Sequence, residues 1–181
     1  VTLVGIVDAD MSLHFSDFRA SERTYQLITQ VAGRAGRDLK PGKVVLQTYT
    51  PNHYVYKFAV KNDYRGFYEK ESNLREVTKY PPFSKIVRVL VSGENEELCT
   101  ITLKGIFDEI SVFTKENPNC FAYFAAMKSP VKRIQNKYRV QILMRITDRF
   151  DNLIEKVYNI VDAHTVPKVS VFVEINPNNL S

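Results

Sequence analysis

The sequence predicts an α/β segment followed by an α+β domain: one edge of a parallel sheet, then a ferredoxin-like βαββαβ unit. Three observations predict it. Short uninterrupted apolar runs bracket a helix-periodic stretch in residues 1–52, as in buried parallel strands joined by a crossover helix. Beyond residue 84, segments of period 2 alternate with segments of period 3.6 in the order strand, helix, strand, strand, helix, strand. Between them, Tyr80-Pro81-Pro82-Phe83 interrupts any helix. The expected organisation is therefore 1–52, a helical connector over 53–83, and a second domain over 84–181.

Thr2–Val7 reads as a buried strand ending at Asp8-Ala9-Asp10. Carboxylates just beyond the C-terminal end of such a strand lie where open α/β sheets place ligands, although acidic residues also simply begin loops. From Ser21 to Val31, Tyr25, Leu27, Ile28 and Val31 recur at helical spacing. Lys40-Pro41-Gly42-Lys43 is a turn, and Val44–Tyr49 a second strand stopped by Pro51. Residues 53–79 read as one or two helices rich in charge and aromatic rings.

In the second domain Lys85–Ser92 alternates, with Val87, Val89 and Val91 on one face. Glu94–Lys115 is a helix with Cys99, Leu103, Ile106, Ile110 and Phe113 on one stripe. Cys120–Met127 and Tyr138–Thr147 are strands joined by a long connection. In the latter, Tyr138, Val140, Ile142, Met144 and Ile146 oppose Arg139, Gln141, Leu143 and Arg145. Asp148–His164 is a helix using Phe150, Leu153, Ile154, Val157 and Val161, and Lys168–Ile175 is the last strand, ended by Asn176-Pro177.

The 181 residues, 44% hydrophobic and 25% charged, have an ordinary globular composition. No run approaches the roughly 18 apolar residues of a membrane span. Val1 opens inside a strand-like run without a methionine, which reads as a piece cut from a longer chain. Cys99 and Cys120 stand far apart, with no Cys-x-x-Cys and no histidine at ligand spacing, so buried reduced thiols are expected and a zinc site in this piece is not. His14, His53 and His164 are isolated, and no Ser/His/Asp or Cys/His constellation appears. Gly36 to Gly42-Lys43 mimics a phosphate loop, but the spacing is one residue too long and Val44 replaces the hydroxyl that would meet magnesium.

The most informative stretch is Gln30-Val31-Ala32-Gly33-Arg34-Ala35-Gly36-Arg37. If the last turn stays helical, Arg34 and Arg37 leave one side of it. Gly33 and Gly36 let another surface approach the backbone closely, and paired guanidiniums suit phosphate oxygens. The same residues also suit a plain helix C-terminus, with arginines at the negative dipole end and Gly36 as cap.

The net charge of +5 is concentrated between residues 128 and 149. There Lys128, Lys132, Arg133, Lys137, Arg139, Arg145 and Arg149 face one acid, Asp148, with Gln135, Asn136 and Tyr138 interleaved. A basic loop beside a basic strand face suits phosphate tracking, with Tyr138 as a stacking platform; a solvated hairpin is the plainer alternative.

Several segments together carry a family resemblance. Phe18–Arg23, Gln30–Arg37, Gly42–Thr48 with Pro51-Asn52-His53, Tyr80–Phe83 and Arg133–Leu143 closely resemble the bacterial primosomal replication-restart DNA helicases, the primosomal protein N′ family. The resemblance covers essentially the whole chain. It implies that 1–52 is the C-terminal part of the second RecA-like lobe of a 3′→5′ superfamily 2 helicase, with motif V at Val1–Asp10 and motif VI at Gln30–Arg37. Carried over, Arg37 is the arginine finger and Arg34 its partner on the phosphates of ATP or on carboxylates of the first lobe. Gln30 and Gly33 line the nucleotide cleft, and Asp8 and Asp10 couple nucleotide state to DNA grip. The second domain is expected to bind DNA through Lys128, Lys132, Arg133, Lys137, Tyr138, Arg139 and Arg145.

The resemblance further implies ATP and Mg²⁺ in the intact protein and Zn²⁺ in a segment elsewhere. It implies forked and single-stranded DNA, single-stranded DNA-binding protein and primosome components as partners, in the bacterial cytoplasm at the nucleoid. The chain departs from the family pattern in two places: Ala125-Ala126-Met127-Lys128 stands where a Gly-Pro pair is common, and Glu174-Ile175-Asn176-Pro177 replaces an Asp-x-Asp-Pro ending. Without the two Walker motifs this piece alone is expected to be inactive. The alternatives are another superfamily 2 repair translocase, which would share Arg34 and Arg37, and a non-enzymatic nucleic-acid or protein-docking module.

Overall fold

Two short parallel strands begin the first of two compact units. In the computed structural model, which describes residues 2–14, 17–35 and 42–178, the units comprise residues 1–74 and 75–181. Strand β1 (Leu3–Ile6) pairs with β2 (Lys43–Leu46) in register from Leu3↔Lys43 to Ile6↔Leu46. Val4, Ile6, Val44 and Leu46 are half-buried, whereas Leu3 is 60% and Val45 49% exposed. The expectation of strands buried on both faces is thus corrected: among the described residues only one face of each strand is covered. β1 is also shorter than Thr2–Val7. Asp8 adopts a left-handed conformation (φ 50°, ψ 56°) and turns the chain into a single 3₁₀ turn, Ala9–Ser12, while Ala9 N donates to Gln47 O at 3.0 Å.

Helix α1 (Ala20–Ala32) buries Ala20, Thr24, Tyr25 and Ile28. Their 4-4 spacing makes the inward stripe, and Leu27, expected on it, is 48% exposed. α2 (Tyr54–Val60) and α3 (Tyr64–Thr78) complete the core of this unit with Val55, Tyr56, Ala59 and Phe67. Phe67 stacks on Tyr25 at 4.4 Å. Gly66 makes the α2–α3 corner possible: a Cβ there would stand 2.5 Å from the Phe58 ring. The Tyr54 hydroxyl donates to the buried Glu71 carboxylate at 2.6 Å, which satisfies a charge that burial alone would penalise. The division between the units falls within α3, ahead of Tyr80–Phe83.

The second unit follows β3 (Lys85–Gly93), α4 (Glu96–Glu116), β4 (Phe121–Ile134), β5 (Lys137–Ile146), α5 (Phe150–Ala163) and β6 (Val169–Ile175). The four strands form one antiparallel sheet ordered β4-β5-β3-β6. Both helices bury their apolar stripes against the same sheet face. Cys99, Leu103, Ile106, Ile110 and Phe113 of α4 and Leu153, Ile154, Val157 and Val161 of α5 pack with Val87, Val89, Val91, Val140, Ile142, Met144 and Ile146. Each stripe is the one the periodicity predicts. Asn95 caps α4 by accepting from Leu98 N at 3.0 Å. Both cysteines are free and buried, and burial pushes the Cys99 thiol upward, with Glu96 adding to it.

β4 differs from expectation. The residues read as a long connection after Met127 continue the strand to Ile134, and a two-residue turn, Gln135-Asn136, leads straight into β5. Both turn residues have positive φ (48° and 65°), as a tight hairpin needs. Register shifts between Lys128↔Val140 and Arg133↔Tyr138, so 129–132 bulge opposite Arg139. At the C-terminal edge, Glu174 pairs with the buried Arg88 at 2.6 Å. Asn176 brackets Ile86, donating from its N to the Ile86 carbonyl at 2.7 Å and accepting from Ile86 N at 2.9 Å. The ending Glu174–Pro177 thus holds the edge of the sheet through Glu174 and Asn176, and Ala125–Lys128 lies inside β4.

Candidate functional site

Around Gln30–Arg37, helix α1 stops at Ala32 and its cap, Gly33, comes three residues before the expected Gly36 cap. Gly33 is the C-cap with φ −65°, a right-handed conformation open to any residue. A Cβ at Gly33 would meet nothing closer than the Thr29 carbonyl at 3.4 Å, so the fold itself does not require glycine there. Arg34 lies in the following turn, its N donating to Val31 O at 3.1 Å. Its exposed guanidinium has no ion-pair or hydrogen-bond partner among the described residues, and Gln30 is exposed one turn earlier. The condition under which Arg34 and Arg37 would share a helical side is therefore not met at Arg34. Arg37 and Gly36 lie outside the described residues.

The two motif-V carboxylates have opposite environments. Asp8 is exposed. Asp10 is 3% exposed and accepts four hydrogen bonds: from Thr50 Oγ1 at 2.5 Å, Tyr49 N at 2.7 Å, Thr48 Oγ1 at 2.9 Å and Tyr56 Oη at 3.1 Å. These donors, Thr50 foremost, hold its carboxyl well below the usual carboxylate range against the opposing effect of burial. Burial raises the Tyr56 phenol, with Asp10 adding to the shift. Burial also lowers the neighbouring His53 imidazole, against the pull of Asp10 and Glu71. Asp10 thus ties the end of β1 to the chain leaving β2. Thr48, Thr50 and Tyr56 escaped the sequence reading because they stand 38 to 46 residues away; the Thr-x-Thr after a strand was the available signal.

The basic stretch resolves into two groups. Lys128, Lys132, Arg133 and Lys137 are exposed along the β4–β5 hairpin, and none has a carboxylate partner among the described residues. Arg133 lies 4.8 Å from the Tyr138 ring centroid and donates from Nη2 to Asn136 Oδ1 at 2.5 Å. This stiffens the hairpin tip and occupies one face of the ring expected to stack on a base. Arg139 and Arg145 are half-buried. Arg145 sits between Tyr80 (4.5 Å) and Tyr123 (5.1 Å) and donates to the Thr78 carbonyl, so it is a packing residue within the second unit. Gln141, expected beside Arg139 and Arg145 on a basic strand face, is 1% exposed. That face is therefore no solvated basic surface at its centre. The exposed basic surface is the hairpin.

Residues 76–178 match the family described as primosomal protein N C-terminal domain. Proteins named replication restart protein PriA are similar over more of the chain. The one from Bacillus subtilis (strain 168) is 42% identical over 148 residues, 80% of this chain and 18% of the relative. The Synechocystis protein is 34% identical over 100% of this chain and 21% of its own length. That of Borreliella burgdorferi is 31% identical over 97% of this chain and 26% of its own length. The chain spans about a fifth to a quarter of the length of these relatives. No helix among the described residues is long and apolar enough to cross a membrane. With the domain match covering more than half of its residues, the chain belongs to the PriA family of replication restart proteins and carries the family's C-terminal domain.

Proposed function

We propose that this chain is the C-terminal portion of an ATP-dependent 3′→5′ superfamily 2 DNA helicase that restarts stalled replication forks by primosome assembly. Residues 1–52 would be the end of its second RecA-like lobe, 53–83 the connector, and 84–181 a ferredoxin-like DNA-binding domain. The observation that carries the reading is the hairpin: four exposed cations without counter-charges among the described residues, in a chain of this family. Such a row neutralises successive phosphates and releases their counterions. The partners are forked and single-stranded DNA, together with single-stranded DNA-binding protein and primosome components. The working place is the bacterial cytoplasm, at the nucleoid.

The nucleotide reading is supported by Arg34, exposed and without a partner among the described residues, beside a glycine whose missing side chain their packing does not need. Arg34 and Arg37 would hold the phosphates of ATP, with Gln30 and Gly33 lining the cleft. Bound ATP with Mg²⁺ supplies the phosphoryl group whose transfer drives the motor; Zn²⁺ belongs to a segment elsewhere. A guanidinium with no partner among the described residues needs no rearrangement of them to meet negative charge. Asp10 would act through rigidity, holding β1 and β2 in register while the exposed Asp8 meets other parts of the protein.

The test is the DNA-stimulated ATPase of the full-length protein. Arg37→Ala lowers the maximal rate by about 10³-fold or more and leaves DNA binding in place. Lys132→Gln with Arg133→Gln does the reverse, raising the DNA concentration needed for half-maximal stimulation without changing the maximum. A maximal rate untouched by Arg37→Ala removes the arginine-finger role, and an unmoved half-maximum removes the hairpin's.

A further inference from the structure

A cleft of about 740 Å³ opens at one end of the second unit's sheet. It lies where β3 turns into α4, where β5 begins and where β6 begins. Its polar lining includes Ser92, Glu94, Lys137, Lys168 and Ser170. Ser92 stands opposite Ser170 on β6 and Arg139 on β5, so one row of the sheet presents two hydroxyls and a guanidinium toward the same side. Neither lysine has an ion-pair partner among the described residues, nor does either hydroxyl have a hydrogen-bond partner there. Asn95 Oδ1 already accepts from Leu98 N, so the end of α4 is capped from within and the lysines and hydroxyls are the groups left for a ligand.

Two backbone features hold the rim. A Cβ at Gly93 would stand 2.9 Å from the Lys168 carbonyl and 3.0 Å from Cys99 Sγ, so only glycine lets the β6 entry lie against the β3–α4 corner. Lys168 itself adopts φ 69°, a left-handed conformation rarely taken by a long side chain. The cleft falls within the size of small-molecule and nucleotide sites, roughly 300–1,000 Å³, and exceeds what one inorganic anion needs. Lys137 belongs both to its wall and to the basic hairpin, so the two surfaces are continuous.

We propose that this cleft seats one nucleotide of the nucleic-acid strand that the hairpin engages, with Lys137 and Lys168 on adjoining phosphates and the Ser92 and Ser170 hydroxyls on the same backbone. The inference rests on the reading of the hairpin as a nucleic-acid surface and extends that surface around the sheet end. Glu94 is the opposing charge at the rim: it repels phosphate and sets the entry of the strand along the lysine side.

The 181-residue chain is titrated with a fluorescent single-stranded oligodeoxynucleotide over a range of salt. Lys168→Gln lowers the slope of log K against log salt by about 0.7, one single-strand phosphate. Glu94→Gln does the opposite to affinity and tightens binding, a sign that loss of folding cannot produce. Lys132→Gln with Arg133→Gln serves as the hairpin arm. Lys168→Gln and Glu94→Gln both without effect, while the hairpin variant weakens binding, overturns the cleft and leaves the hairpin reading standing. No effect from any of the three overturns both. Weaker binding in Glu94→Gln also overturns the cleft, because its ligand is then not an anion.

Discussion

Gly33 and Asp10 show how single residues divide between fold and function. Gly33 has ordinary right-handed φ and room for a methyl group. Gly33→Ala is therefore expected to leave this chain as stable or more stable by about 0.5 kcal/mol, through the lowered entropy of the unfolded state. If Gly33 lines the nucleotide cleft as proposed, the same substitution in the full-length protein is expected to reduce ATPase by blocking close approach; thermal melts beside turnover rates check both halves. Asp10 is the reverse case, polar yet internal. Its folded pKa lies below the ordinary 3.8, so its stabilising contribution is complete above that value and is lost as pH falls below it. Acid titration of the first unit, followed by tyrosine fluorescence, should begin to unfold it below pH 3.8. Asp10→Asn should flatten that dependence and lower the melting temperature at neutral pH. The resemblance points to a relay role at Asp10, but its donors come from Thr48, Tyr49, Thr50 and Tyr56, contacts that tertiary structure makes and no local spacing displays.

Among the elements, those whose sequence carries one clear apolar stripe were legible. α4 and α5 bury the residues their period selects, and β3 and β5 do so on the face toward the helices; the burial of Ile86, Arg88, Leu90 and Gln141 on the other face is not marked by that alternation. The β4–β5 hairpin was not legible as strand beyond Met127. Lys128, Lys132, Arg133, Gln135 and Asn136 are exposed, so no hydrophobic alternation marks the pairing, and Gln135-Asn136 is not the Asn-Gly that signals a tight turn. Leu27 misled for a related reason: it lies next to the stripe of α1 but on its wet side. Two substitutions separate core from surface here. Ile106→Ala, at 0% exposure between helix and sheet, should cost about 2–5 kcal/mol. Arg145→Ala removes two aromatic contacts and a backbone hydrogen bond and should cost about 2 kcal/mol. Urea titrations of both variants would measure these, and an Arg145→Ala protein of unchanged stability that binds DNA poorly would return Arg145 to the binding surface.

Across the molecule, the two units differ in how completely they satisfy themselves. The second closes a four-stranded sheet beneath two helices around one continuous core. The first has two strands, and its described residues leave Leu3 and Val45 exposed on one strand face. The balance of charge follows a similar division: Arg88 meets Glu174 and Arg23 meets Asp17, whereas the hairpin cations meet no carboxylate among the described residues, and Arg133 meets only the neutral Asn136 and the Tyr138 ring. Positive charge left without a carboxylate among the described residues on a stiff, extended hairpin is what the proposed DNA surface rests on, and salt dependence reads that charge. Binding of the 181-residue chain to a short duplex should weaken linearly in log K against log salt. Lys132→Gln with Arg133→Gln should reduce that slope by about 1.8, two duplex phosphates, with unchanged melting temperature. A slope that stays at the wild-type value would contradict the assignment and leave the hairpin a solvated extension of the sheet.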